Sequence, residues 1–153
     1  MPILVHSART AAAAMTSLLV AQLFGLNESY WAPITTLVIE QTSLGAALAV
    51  SGQRFIGTFL GAAVGALVAS RSTHHALAFG VSVFLLGLLR VRTRFDLAGY
   101  RIGAVTLAIV LLVPRTGPAW EMAWHRFAEV SIGIGVALML ALVWPERNAA
   151  RLS

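Results

Sequence analysis

Six stretches of this chain, about residues 9–25, 30–50, 54–70, 73–89, 97–113 and 125–144, are apolar over nearly their whole length. A helix crosses the hydrocarbon core with about 20 apolar residues, or about 17 where the bilayer thins or flanking side chains snorkel. Six such runs joined by short connectors predict an all-α integral membrane protein, a six-transmembrane-helix block that occupies residues 1–153 as a single transmembrane domain. A four-span reading leaves two long apolar runs outside lipid, so six spans are expected. Pro33 falls in the opening turn of the second run, where its missing N–H costs nothing; Pro114 and Pro145 close the fifth and sixth. The composition agrees. Hydrophobic residues make up 58% of the chain and charged residues 11%, against roughly a quarter charged in an ordinary soluble domain. So much apolar surface cannot be hidden in one small core. Arg9 sits beside an Ala-rich stretch without a clear cleavage site, so the first run is expected to stay as a helix rather than act as a signal peptide.

All eleven basic residues are Arg, against six acids, giving a net charge of +5. A basic nucleic-acid binder needs a polar face that this chain lacks, so no nucleic-acid partner is expected. Loop arginines instead orient spans. With six spans, Arg9, Arg54, Arg90, Arg92, Arg94, Arg101, Arg147 and Arg151 fall on the side that carries both termini, and Arg71, Arg115 and Arg126 on the other. Both termini are therefore expected in the cytoplasm. Tyr30, Trp31, Trp120 and Trp124 fall at outer span ends, where aromatic rings anchor at the interface. There is no Cys, so disulfides and thiolate metal sites are excluded.

Helices in lipid have little hydrophobic drive toward one another, and close approach depends on small residues. Gly57, Gly61 and Gly65 form a row at a strict four-residue period. They predict a helix–helix contact, either inside one chain or between chains.

A charge at the centre of a membrane helix costs about 2.5–3.5 kcal/mol on insertion scales, so each one asks for a partner or a watery cavity. Glu40, followed by Gln41, falls near the middle of the second run. Removal from water favours the neutral form of a carboxyl group, which suits proton exchange; a hydrogen-bonded carboxyl in a helix seam is the plainer reading. Arg54 is expected at the inner mouth of span three, one turn before the glycine row, and can hold a carboxylate with its planar fork or simply snorkel. Arg101 is placed similarly on span five. Arg126 and Glu129 are three apart and share a helix face, as do His125 and Glu129, a spacing that favours structural pairing. His74 and His75 lack further ligands at metal-binding spacing. No GxSxG, HExxH or P-loop occurs, so neither an enzyme nor a cofactor is expected.

The run Tyr30-Trp31-Ala32, Thr35, Leu37-Val38, Gln41, Ser43, then Gln53-Arg54, Gly57-Thr58 and Gly61, resembles the signature of the fusaric acid resistance family of bacterial inner-membrane proteins. Thr106, then Arg126, Glu129 and Gly133, and the closing Val143-Trp144-Pro145 extend the resemblance over nearly the whole chain. That family is similar to aromatic acid exporters and, more distantly, to plant aluminium-activated malate transporters. The resemblance implies a multi-pass protein of the bacterial inner membrane that exports small organic anions, often aromatic carboxylates. It assigns Gln41, Arg54, Arg101 and Arg126 to the passage or its packing. On this reading Tyr30 and Trp31 flank the outer mouth, Arg54 attracts the anion and Glu40 exchanges protons. Family members are commonly longer, so a lone block is expected to pair with copies of itself, most simply as a homodimer. A passive anion channel and a non-transporting assembly subunit stay open as alternatives.

Overall fold

Proline, a left-handed glycine and a capping aspartate set several helix ends of this protein. The computed structural model describes residues 2–26, 28–40, 44–93, 96–114 and 116–144. Among them are six helices: α1 Pro2–Leu23, α2 Trp31–Ile39, α3 Leu44–Ala69, α4 His75–Thr93, α5 Leu97–Leu112 and α6 Ala119–Val143. Proline suits the first helical position, and α1 begins on Pro2. It ends in a Schellman turn: Gly25 takes φ +66°, Leu26 N–H donates to the Ala21 carbonyl at 3.3 Å and Gly25 N–H to that of Gln22 at 2.9 Å. A side chain at Gly25 would strain this left-handed turn. Asp96 caps α5 by accepting from Ala98 N–H at 3.2 Å, and Val113, extended before Pro114, ends it.

Four helices contain segments long and apolar enough to cross a bilayer: Ile3–Leu23, Leu44–Ala69, His75–Arg92 and Ala119–Val143. The 16 residues of α5 reach about 24 Å and the nine of α2 about 14 Å, both short of a hydrocarbon core of about 30 Å. The protein is an all-helical membrane protein. Large apolar side chains such as Leu23, Leu77 and Phe84 face outward, whereas Arg9, Thr35, Thr36, Thr58, Thr106, Arg126 and Glu129 are buried.

Helix boundaries differ from the expected spans in three places. The first helix starts at Pro2 rather than Arg9 and the last at Ala119, just after Pro118, rather than at residue 125. The second expected span, 30–50, is not one helix: α2 stops at Ile39, and α3 starts at Leu44 and runs straight through the expected connector around Gly52-Gln53-Arg54. Gln and Arg are good helix formers and no proline stands there, so polarity alone does not end the helix.

The chain divides into two compact units, one of residues 1–52 with 129–153 and the other of residues 53–128. In the first, α1 and α2 pair as a hairpin, and Ile39, Ala47 and Ala137 form a small apolar core with Val50, Ile134 and Leu138 against it. In the second, the glycine row of α3 meets α5. A methyl at Gly57 would lie 3.1 Å from Ile102 Cβ, one at Gly65 3.0 Å from Val110 Cβ, and one at Gly61 would run into the Gly103 carbonyl. The successive partners ascend along both helices, so α3 and α5 are parallel. Gly87 of α4 faces Tyr100, whose hydroxyl donates to the Val83 carbonyl at 3.4 Å. Ala62 and Val110 close a further core with Ala119 and Ala123 of α6. Phe127 stacks between Phe55 and Phe59, with ring centroids 5.0 and 5.9 Å away.

Backbone cannot move aside as a flexible side chain can, so Gly61→Ala is expected to destabilise by about 1–3 kcal/mol. Gly80, where an added methyl would meet nothing within 4 Å, serves as the control: Gly80→Ala should be neutral or stabilising by up to about 1 kcal/mol through helix propensity. Thermal unfolding in detergent compares the two.

Candidate functional site

The first unit buries an ion pair in its helical hairpin. Arg9 lies about 10 Å along α1 from its first residue, and Glu40 caps the C-terminus of α2, its N–H donating to the Thr36 carbonyl at 2.9 Å. Arg9 Nε stands 3.6 Å from Glu40 Oε1, and the two side chains are only 4% and 8% exposed. At that separation the contact is an ion pair rather than a hydrogen bond. Neither charge is tolerable alone in a low-dielectric setting, and each makes the other's burial possible.

Further polar groups line the same unit. Ser17 of α1 is fully buried and donates to the Ala14 carbonyl at 2.9 Å. Thr36 directs its hydroxyl between the carbonyls of Ala32 and Gly133, both at 3.1 Å, which ties α2 to α6. Gly133 is what lets the helices come so close, because a methyl there would lie 2.5 Å from the Ala32 oxygen and 2.7 Å from Thr35 Cβ. Glu129, one turn earlier on α6, is fully buried. At the start of α2, the Trp31 indole donates to Glu28 Oε2 at 3.0 Å, and its ring centroid stands 5.5 Å from that of half-exposed Tyr30.

The expected site residues separate as follows. Tyr30, Trp31, Glu40 and Glu129 belong to the first unit, and Arg54, Arg101 and Arg126 to the second. Glu40 is brought to Arg9, which the charge pattern groups with the loop arginines; it stands instead inside α1. Arg54, expected at a span mouth, is the eleventh residue of α3 and half-buried. Arg101 is exposed on α5, whereas Arg126 is buried on α6. Gln41 lies outside the described residues. Among the described residues no group of three His, Asp or Glu side chains is placed to hold a metal ion. Arg9 is the residue that sequence reasoning missed, and the signal that could have found it was the demand of Glu40 itself for a basic partner at membrane depth.

Breaking a buried pair leaves one charge uncompensated and costs about 3–5 kcal/mol, whereas replacing both members with apolar residues is often neutral. Arg9→Ala is therefore expected to lower thermal stability strongly, and the double replacement Arg9→Leu with Glu40→Leu to regain most of it. A melting series on the purified protein measures both.

Comparison with known proteins covers nearly the same ground as the helices. The fusaric acid resistance protein-like family matches residues 13–140. The chain is 26% identical over 155 residues to "Uncharacterized transporter YdhK" of Escherichia coli strain K12, covering 95% of this chain and 23% of that protein. It is 32% identical over 152 residues to "Inner membrane protein YeeA" of the same organism, covering 94% and 42%. "Aluminum-activated malate transporter 14" of Arabidopsis thaliana is 25% identical over 131 residues, covering 76% and 24%. The chain thus spans between about a quarter and two fifths of the length of these relatives. No solved structure matches it. With a family match over most of its length and an interior of buried polar groups inside apolar helices, this multi-pass membrane protein belongs to the fusaric acid resistance protein-like family.

Proposed function

We propose that this chain forms the membrane block of a transporter that exports small organic anions, aromatic carboxylates among them, across the bacterial inner membrane. The observation that carries the reading is the Arg9–Glu40 pair, a guanidinium and a carboxylate buried together in a seam between two helices. A bilayer excludes such groups unless they are partnered, and ionisable residues retained there characteristically serve ion or proton pathways. The family match and the transporter names of two relatives support it, one of those names specifying malate, an organic anion.

In this mechanism Glu40 exchanges a proton and Arg54, half-buried on α3, attracts the anion. Tyr30 and Trp31 flank the outer mouth; Gln41, Arg101, Arg126 and Glu129 line or brace the passage. The six helical segments alternate in direction, α2 and α5 entering the bilayer without crossing it alone, with both termini in the cytoplasm, and copies of the chain pair as a homodimer to complete the passage. The parallel course of α3 and α5 agrees with such alternation.

Efflux of an aromatic carboxylate from vesicles provides the test. Glu40→Gln is expected to abolish the pH dependence of efflux, and an unchanged profile removes Glu40 from coupling. Arg54→Ala should raise the half-saturating concentration about tenfold or more, as expected when a charge-assisted contact of about 1.5–3 kcal/mol is lost. Anion current down a gradient without proton movement would instead identify a passive channel.

A further inference from the structure

The second unit holds a cleft of about 260 Å³ between α3, α4 and α5, lined by Leu60, Leu86, Leu89, Arg90, Tyr100 and Gly103 among others. It is larger than the cavity of about 150 Å³ that takes up benzene in an apolar protein core. Its walls are almost wholly hydrocarbon apart from Arg90 and Tyr100, whose hydroxyl is engaged with the Val83 carbonyl. The apolar part of α4, His75–Arg92, measures about 27 Å along its axis, close to the thickness of a hydrocarbon core. Arg90 therefore stands at headgroup depth, with Leu86 and Leu60 deeper. The last turn of α4 carries both Arg90 and Arg92, and Arg101 is exposed near the start of α5. Arg90 Nε is buried and has no hydrogen-bond partner among the described residues.

An occupant that suits this arrangement is apolar inside the membrane and anionic at its surface. We propose that the cleft is a binding site for an anionic phospholipid, with an acyl chain along Leu60, Leu86 and Leu89 and the phosphate at the Arg90 guanidinium. Charge complementarity selects the headgroup, since guanidinium binds phosphate through a planar fork of donors and basic pockets between membrane helices recognise anionic headgroups. Gly57, Gly99 and Gly103 also line the cleft, where α3 and α5 approach backbone to backbone. This site is separate from the Arg9–Glu40 pair and does not depend on which anion is transported.

Native mass spectrometry of the full chain, released from nanodiscs of phosphatidylcholine with and without phosphatidylglycerol, reads the retained lipid directly. Phosphatidylglycerol is expected to remain bound in preference to phosphatidylcholine. Arg90→Gln should weaken that preference about fivefold, the scale of one basic residue at an anionic surface. Arg92→Gln serves as the control for general surface attraction, and Leu89→Trp should reduce retention by filling the cleft while Arg90 stays. Circular dichroism checks that each variant keeps its helices, and Arg90→Lys, which retains the charge, should restore part of the preference. Equal retention of the two lipids, or an equal loss in Arg90→Gln and Arg92→Gln, overturns the proposal. So does displacement of the lipid by sodium benzoate, which would assign the cleft to a soluble organic anion, and so does loss of binding only when a dimer dissociates, which would assign it to a second copy.

Discussion

Hydrocarbon gives a buried charge no water to turn to, and the first unit is organised around that fact. Arg9 on α1 and Glu40 at the end of α2 neutralise one another where neither would be stable alone. Their attraction favours the facing of α1 and α2 that keeps the two buried groups together. The hydroxyls of Ser17 and Thr36 follow the same rule on a smaller scale by returning to backbone carbonyls. In Thr36 the carbonyl reached belongs partly to α6, so satisfying a polar group also joins helices.

Where charge does not join helices, the absence of side chains does. The contact of α3 with α5 rests on glycines that allow backbone to touch backbone, and Gly133 does the same for α2 and α6. Dispersion between close backbones replaces the hydrophobic drive that lipid removes. Elsewhere the second unit is filled by an alanine-rich cluster, and the Phe127 stack lies on its apolar surface. The outer surface of each unit is apolar and its interior comparatively polar, the reverse of a soluble domain, which places the informative residues inside.

The general class of this protein was legible from the spacing of its apolar runs, and the family from the Tyr30-to-Gly61 pattern. Six helices occur among the described residues, four of them long and apolar enough to cross a bilayer, but the second boundary was not legible. Gln53 and Arg54 look like a connector by polarity, yet their helix propensity and the lack of proline keep α3 intact. The glycine row announced a contact without naming its partner, since a small-residue stripe fits any equally close surface. Glu40 stood out as a charge in the wrong solvent, while Arg9 was hidden among arginines with an ordinary orienting role.

The sequence by itself therefore determined the solvent of this chain, its helical class and its kinship, because each depends on periodicity and composition summed over many residues. Only the tertiary structure decided that Arg9 answers Glu40, that α5 receives the glycine row, and that Arg90 heads an apolar cleft. Those are pairings between residues up to 46 positions apart, as from Gly57 to Gly103. Local propensity carries no record of them; they arise when packing chooses which faces meet and buried charge forbids the alternatives.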